Sequence, residues 1–345
     1  MKPKAKKFLS NFFLGLFSND QAIEGSKSNP WWVGLIIALF AVLLPVIPIT
    51  VAQSRTYGAS FLSKYTYRFD QNIADATVKL AKDNKEFKVE NKILNYYADE
   101  SIQSNFEGLV YSHTNTSTKQ YELMIYYTTK TSKEYSTYVN GLIGATYKIG
   151  TTDTPEDGYE GSTYSPSLMV LASTHIYTRL VQEDSTTAST SGYTNYTTDW
   201  KHFAEGTELI KGALPDNKTA DQVDLNNSND VNAIFKNWKS YYNKAYLTQK
   251  NINVWGTSGI FLGIYVALVF IMGLLVFLLT RGKNNMFNYL TFIDTQKIVW
   301  WASLSPAILA LILGFIISNF AQMIFIILLG LRVMWISMRQ LRPQY

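Results

Sequence analysis

Cysteine is absent from this chain, and histidine occurs three times in 345 residues. The first absence excludes disulfides, thiolate nucleophiles and Cys-type zinc sites. The histidines, His113, His175 and His202, stand far apart and form no H-E-x-x-H or similar ligand spacing, so metal-dependent hydrolysis has no motif to rest on. Also missing are a G-x-S-x-G elbow, an S-x-x-K with a following K-T-G, and a G-x-x-x-x-G-K-[ST] phosphate loop. Neither an acyl-enzyme nor an ATPase is signalled. No catalytic residue, metal ligand or cofactor is expected. Charge of one sign is scarce as well. The formal net charge is only +5, and much of the excess flanks apolar runs, which reads as membrane topology and contact with anionic lipid rather than a nucleic-acid footprint.

What the chain does have is apolar sequence gathered into four blocks, which the mean hydropathy of −0.03 conceals. Trp255 to Thr280, Val299 to Asn319 and Ala321 to Met338 lie almost back to back, and a further block runs from Pro30 to Val51. Each is close to the ~20 residues that cross the hydrocarbon as a helix, and none alternates as a barrel strand would. The expected fold is therefore an α+β membrane protein with four transmembrane helices, one and then three, and an extracytoplasmic α+β domain between the first and second. The expected boundaries are 1–29 for a cytoplasmic N-terminus with a short interfacial helix, 30–51 for the first span, and 52–253 for the domain. Then come 254–281 for the second span, 282–298 for a cytoplasmic loop, 299–319 and 321–338 for the third and fourth spans, and 339–345 for a tail.

Orientation follows from basic residues near span ends. Lys2, Lys4, Lys6 and Lys7, then Arg281, Lys283 and Lys297, then Arg339 and Arg342 all point to the cytoplasm, which puts both termini inside. Phe8, Leu9, Phe12, Phe13, Leu16 and Phe17 recur at the spacing of an interfacial helix, followed by a polar link over Asp20 to Asn29. Pro45 and Pro48 predict a kink or early exit at the outer end of the first span. Trp31, Trp32, Trp255, Trp300 and Trp301 are candidate interfacial anchors, with the two pairs expected on the cytoplasmic side and Trp255 on the other.

Within the domain, Phe69, Ile73, Thr77, Leu80 and Ala81 predict a helix over Arg68 to Lys82. Strands are expected over Phe87 to Leu94, Phe106 to His113, Tyr121 to Thr129 and Tyr135 to Ile149, in a small, mostly antiparallel sheet. Helices are expected over Leu168 to Val181 and Val231 to Leu247, and the Ser/Thr-rich stretch Ser185 to Thr198 reads as a mobile loop. Two acidic stretches invite a functional reading. Asp216, Asp221, Asp224, Asn226, Ser228, Asp230 and Asn232 place oxygens at alternating positions, but Asn229 and Phe235 stand where a calcium loop needs Gly and Glu, so turns and a helix cap are the better reading. Asp153, Glu156, Asp157 and Glu160 read as an exposed turn.

Arg332 is the one charge well inside an apolar run, which makes it a functional candidate, with snorkelling toward the headgroups as the competing account. Gly259 and Gly263 form a small-xxx-small pair that marks a candidate helix-contact face.

The order Asn288-Tyr289-Leu290, Lys297-Ile298 and Ser303-Leu304-Ser305-Pro306-Ala307-Ile308, with Phe87 to Leu94, resembles a Firmicute membrane family of maltodextrin-utilisation proteins of the MalA or YvdJ type. The resemblance implies one span, an extracytoplasmic domain and three further spans. It also implies a bacterial plasma-membrane location and an accessory link to sugar uptake. The expected function is a non-enzymatic accessory or regulatory subunit whose partners are membrane lipid and a membrane protein such as an ABC transporter. The alternative is a permease-like subunit of a MacB or FtsX-type ABC complex. Nucleic acid is not an expected partner.

Overall fold

The computed structural model describes residues 12–63, 69–99, 102–103, 106–114, 121–130, 134, 137–141, 167–181, 193–281, 285–317 and 320–341. In chain order its principal elements are α1 (Asn19–Ser28), α2 (Trp31–Leu43), α3 (Val46–Ser54) and α4 (Phe69–Lys82). There follow β1 (Glu86–Glu90), β2 (Ile93–Asp99), β3 (Ile102–Gln103), β4 (Gly108–Thr114), β5 (Tyr121–Thr128), β6 (Ser167–Ala172), β7 (His175–Val181), β8 (Tyr193–Asp199) and β9 (Thr207–Glu208). The chain closes with α5 (Ser228–Ala245), α6 (Leu247–Thr280), α7 (Phe292–Ile316) and α8 (Ala321–Trp335). It divides into two compact units, Thr56–Lys250 and the remainder.

The Thr56–Lys250 unit is α+β. One antiparallel sheet has the order β3-β2-β1-β9, and a second runs β4-β5-β6-β7-β8 with β5 and β6 parallel and its other neighbours antiparallel. Alternation along β5 and β6 sends Leu123, Ile125, Met169 and Leu171 into the main core, and Met124, Leu168 and Val170 into a second cluster with Val139. β5 and β6 are thus buried on both faces. α4 and α5 supply the helical side of the main core through Ile73, Leu80, Ile234 and Trp238. Large aromatic side chains inside it keep their polar atoms paired, as buried indoles and phenols must. The Trp238 indole donates to Thr77 Oγ1 at 2.9 Å, and Trp200 to the Ala172 carbonyl at 2.8 Å.

Several sequence expectations for this unit are corrected. Phe87 to Leu94 is not one strand but a hairpin, because Asn91 and Lys92 both take positive φ (53° and 65°) and turn β1 into β2 in two residues. Leu168 to Val181 is not a helix but the hairpin β6-β7. A strand buried on both faces reads as an unbroken apolar run, and periodicity cannot separate that from a buried helix. The described part of Tyr135 to Ile149, residues 137–141, is helical rather than extended. Within the expected mobile loop, Tyr193 to Thr198 instead belongs to β8, paired along β7. There are two sheets rather than one, while the pairing is mostly antiparallel as expected, with β5–β6 the one parallel pair among the described strands.

The other unit is all helix. Trp31–Ser54, α6 and α7 are each long and apolar enough to cross a membrane. Leu44 and Pro45 separate α2 from α3, at the place where the missing proline N–H predicts a break. The helices begin ahead of the expected spans: α6 starts at Leu247, and α7 starts at Phe292, where Thr291 and Asp294 form a capping box, with Asp294 N–H donating to Thr291 Oγ1 at 3.2 Å. The polar link over Asp20 to Asn29 is also corrected, since it forms α1, capped by Ser18. Met1 to Asn11 lie outside the described residues, while residues 12–15 make a helical turn.

Candidate functional site

The helical unit is built around an unusual polar node. Pro306 sits inside α7 and has no N–H, so the carbonyl of Ala302, four residues earlier, loses its helical donor. Arg332, on α8, supplies the replacement: its Nη1 donates to the Ala302 carbonyl at 3.0 Å. Nε donates to Asn19 Oδ1 at 2.9 Å, and Nη2 to the Gly15 carbonyl at the end of the turn over residues 12–15. A helix end leaves its last carbonyls without internal partners. One side chain therefore satisfies two orphaned backbone acceptors and ties together α7, α8 and the segment leading into α1. Arg332 is thus held by neighbouring segments of its own unit. All three acceptors are neutral, so they solvate the guanidinium without balancing its charge.

A second polar side chain in the helical unit escaped the sequence reading. Gln296 is 3% exposed, and its Nε2 donates to the Phe270 carbonyl of α6 at 3.0 Å, while its Oε1 finds no partner among the described residues. Gly273 admits it, because a Cβ there would run into the Gln296 amide. Gly25 likewise admits the ring of Trp301, whose Cζ3 lies 2.7 Å from where a Cβ would sit, and Trp300 lies against Gly34. Trp301 is accordingly buried, whereas Trp31, Trp32 and Trp255 are 58%, 53% and 74% exposed. Among the described residues no atom lies within 4 Å of where a Cβ at Gly259 or Gly263 would sit. The close glycine contact between α6 and α7 falls at Gly273 instead.

In the α+β unit the structure gathers charges that sequence order keeps apart. Asp75 on α4 accepts from the Tyr111 hydroxyl and lies 3.1 Å from His113 Nδ1, both on β4. His113 Nε2 is 3.9 Å from Glu122 on β5, which accepts from Asn72 Nδ2 at 3.1 Å. The bond to His113, with that from Tyr111, holds the Asp75 carboxyl below its ordinary range against the opposing effect of partial burial. Asp75 and His113 stay about one-third exposed, so a histidine flanked by two carboxylates reaches the surface. No sequence signal marks this group, since α4, β4 and β5 meet only in the fold.

The other candidate residues resolve into structure. Asp230 binds Lys218 Nζ at 2.6 Å and caps the Asp224 N–H, and Asn227 caps α5, so the Asp/Asn-rich stretch makes turns and a cap. Glu86 accepts from the backbone N–H groups of Phe87, Ile210 and Lys211 and pins β1 to the segment after β9. His175 is half-buried beside Thr174, and His202 is exposed. Among the described residues no group of His, Asp and Glu is arranged to hold a metal ion. Asp153, Glu156, Asp157 and Glu160 lie outside the described residues. Compared with known proteins, the chain matches no family model, no curated protein and no solved structure.

Proposed function

We propose that this chain is a non-enzymatic, multi-pass protein of a bacterial plasma membrane, an accessory or regulatory subunit linked to maltodextrin or sugar uptake. Its Thr56–Lys250 unit lies outside and contacts a ligand or a protein partner. The observation that carries this reading is the insertion of one compact α+β unit between two membrane-length helical segments, so that both of its chain ends continue into apolar helix. Exposed Leu39, Phe40, Ile260, Phe270, Leu279 and Ile316 give the helical unit an outer surface suited to lipid rather than water. In this reading α8 and the π-helical turn after it, 20 residues from Ala321 to Gln340, form a fourth span of about 30 Å. Basic residues at Arg281, Lys297 and Arg339 support placing both termini in the cytoplasm. The partly exposed pair Asp75 and His113, backed by buried Glu122, is the contact we favour for a polar ligand or partner.

The test is a pull-down of the full chain from native membranes with mass-spectrometric identification. Enrichment of a sugar-uptake transporter over a control membrane protein is expected. Turnover of a carbohydrate, peptide or lipid by the purified chain, abolished by a point change in the Thr56–Lys250 unit, would overturn the reading. A co-purifying nucleotide-binding subunit whose ATPase the chain stimulates would replace it with a permease-like role.

A further inference from the structure

Arg332 also lines an open crevice of about 300 Å³ between α7 and α8. Three of the five guanidinium N–H groups are used in the clasp, which leaves two. Asn19 is on the same wall. Its Oδ1 is taken by Arg332, so what remains is its NH₂. The Ser305 hydroxyl and the Trp335 indole N–H complete the polar lining, and among the described residues neither has a hydrogen-bond partner. Arg339 lies 5.4 Å from the centroid of the Trp335 ring but is not part of the crevice lining. The remaining lining is apolar, with Leu309 and Leu328 prominent.

This lining contains N–H and O–H donors, one fixed positive charge and no carboxylate. A buried or half-buried charge surrounded by neutral acceptors still lacks a counter-charge, and in a low-dielectric setting that lack is costly. A water could meet the donors without meeting the charge. An anionic oxygen group meets both, with charge-assisted bonds that are stronger than neutral ones. The apolar side of the crevice then needs an occupant that is not polar throughout. The geometry points to the anionic phosphate head of a membrane lipid as the occupant, with its oxygens on Arg332, Asn19 and Ser305 and an acyl chain along Leu309 and Leu328. Charge selects the head and the leucines select a lipid over free phosphate. This inference rests on the reading of the helices as membrane spans.

Arg332→Gln is a poor first test because it also breaks the clasp. Leu309→Trp fills the crevice and leaves every bond of Arg332 in place. The full chain, purified in detergent, is assayed by native mass spectrometry with phosphatidylglycerol and phosphatidylcholine, and separately by thermal shift with inorganic phosphate. We expect the native chain to retain phosphatidylglycerol about tenfold better than phosphatidylcholine, the scale of one charge-assisted contact. Leu309→Trp should remove that preference while leaving helix content and lipid-free melting unchanged. Equal retention of the two lipids, or undiminished preference in Leu309→Trp, overturns the inference. So does stabilisation by phosphate alone without lipid preference, which would mark a free-anion site. A chain recovered soluble without detergent would defeat the membrane reading and this inference with it. A detergent-requiring chain with no lipid preference defeats only this one.

Discussion

Arg332 and Pro306 form a pair whose energetics can be separated by mutation. Replacing Arg332 with Ala orphans the Ala302 carbonyl and frees the segment around Gly15 and Asn19, while replacing Pro306 with Ala restores the missing helical N–H. Each change alters the partner available to the same carbonyl. We therefore expect Arg332→Ala to lose about 2–4 kcal/mol, and Pro306→Ala to recover roughly 1 kcal/mol of it in the double variant. Thermal or denaturant unfolding in detergent reads the cycle, and strictly additive losses would show that Arg332 does not serve the carbonyl that proline vacates. Asp75 offers a second test, in water. Its carboxyl is held below the ordinary range, so the folded state favours the ionised form. That contribution is present above the carboxyl's unfolded value near 3.8 and is lost as pH falls through the lower folded value. Because Asp75 is partly exposed, about 1 kcal/mol is expected. Asp75→Asn should destabilise the protein by that amount at pH 7 and by progressively less as pH falls below 3.8. A loss that does not shrink with falling pH would mean that the His113 and Tyr111 contacts do not depend on the charge.

At the scale of elements, α6 and α7 meet through a glycine and an amide. An alanine normally strengthens a helix relative to glycine by up to ~1 kcal/mol, so Gly→Ala at two positions of α6 measures the tertiary cost against a shared background. At Gly259 nothing stands near the new methyl group, and the change should be neutral or mildly stabilising. At Gly273 it drives into the buried Gln296 amide and threatens the bond to the Phe270 carbonyl, so a net loss of about 1–2 kcal/mol is expected. If both variants melt alike, α7 does not approach α6 as described. Helices that carry their own signal were legible without the fold. α4 and α5 show it in the spacing of Ile73, Thr77 and Leu80 and of Ile234, Trp238 and Tyr241, with Asn227 capping α5. The β6-β7 hairpin was not legible, because burial on both faces erases the alternation that marks a strand.

For the whole molecule the sharpest prediction concerns sidedness. In this Cys-free chain, an added cysteine at exposed Asn226 should react with an impermeant thiol reagent on intact cells, and one at Met286, 63% exposed, should react only after lysis. The reverse pattern would invert the topology.

Composition and run length alone determined that apolar helices long enough for a membrane flank an α+β domain, because hydrophobic run length is a property of consecutive residues. Arg332 stood out in the sequence for the same reason, as one charge inside such a run. Its role did not. Only the tertiary structure decided that the arginine answers the Ala302 carbonyl, thirty residues away in another helix and vacated by Pro306, that Gln296 needs Gly273, and that Asp75, His113 and Glu122 converge. Hydrogen bonds and charge contacts act over a few ångströms of space, and no local pattern along a chain records which distant segments will come that close.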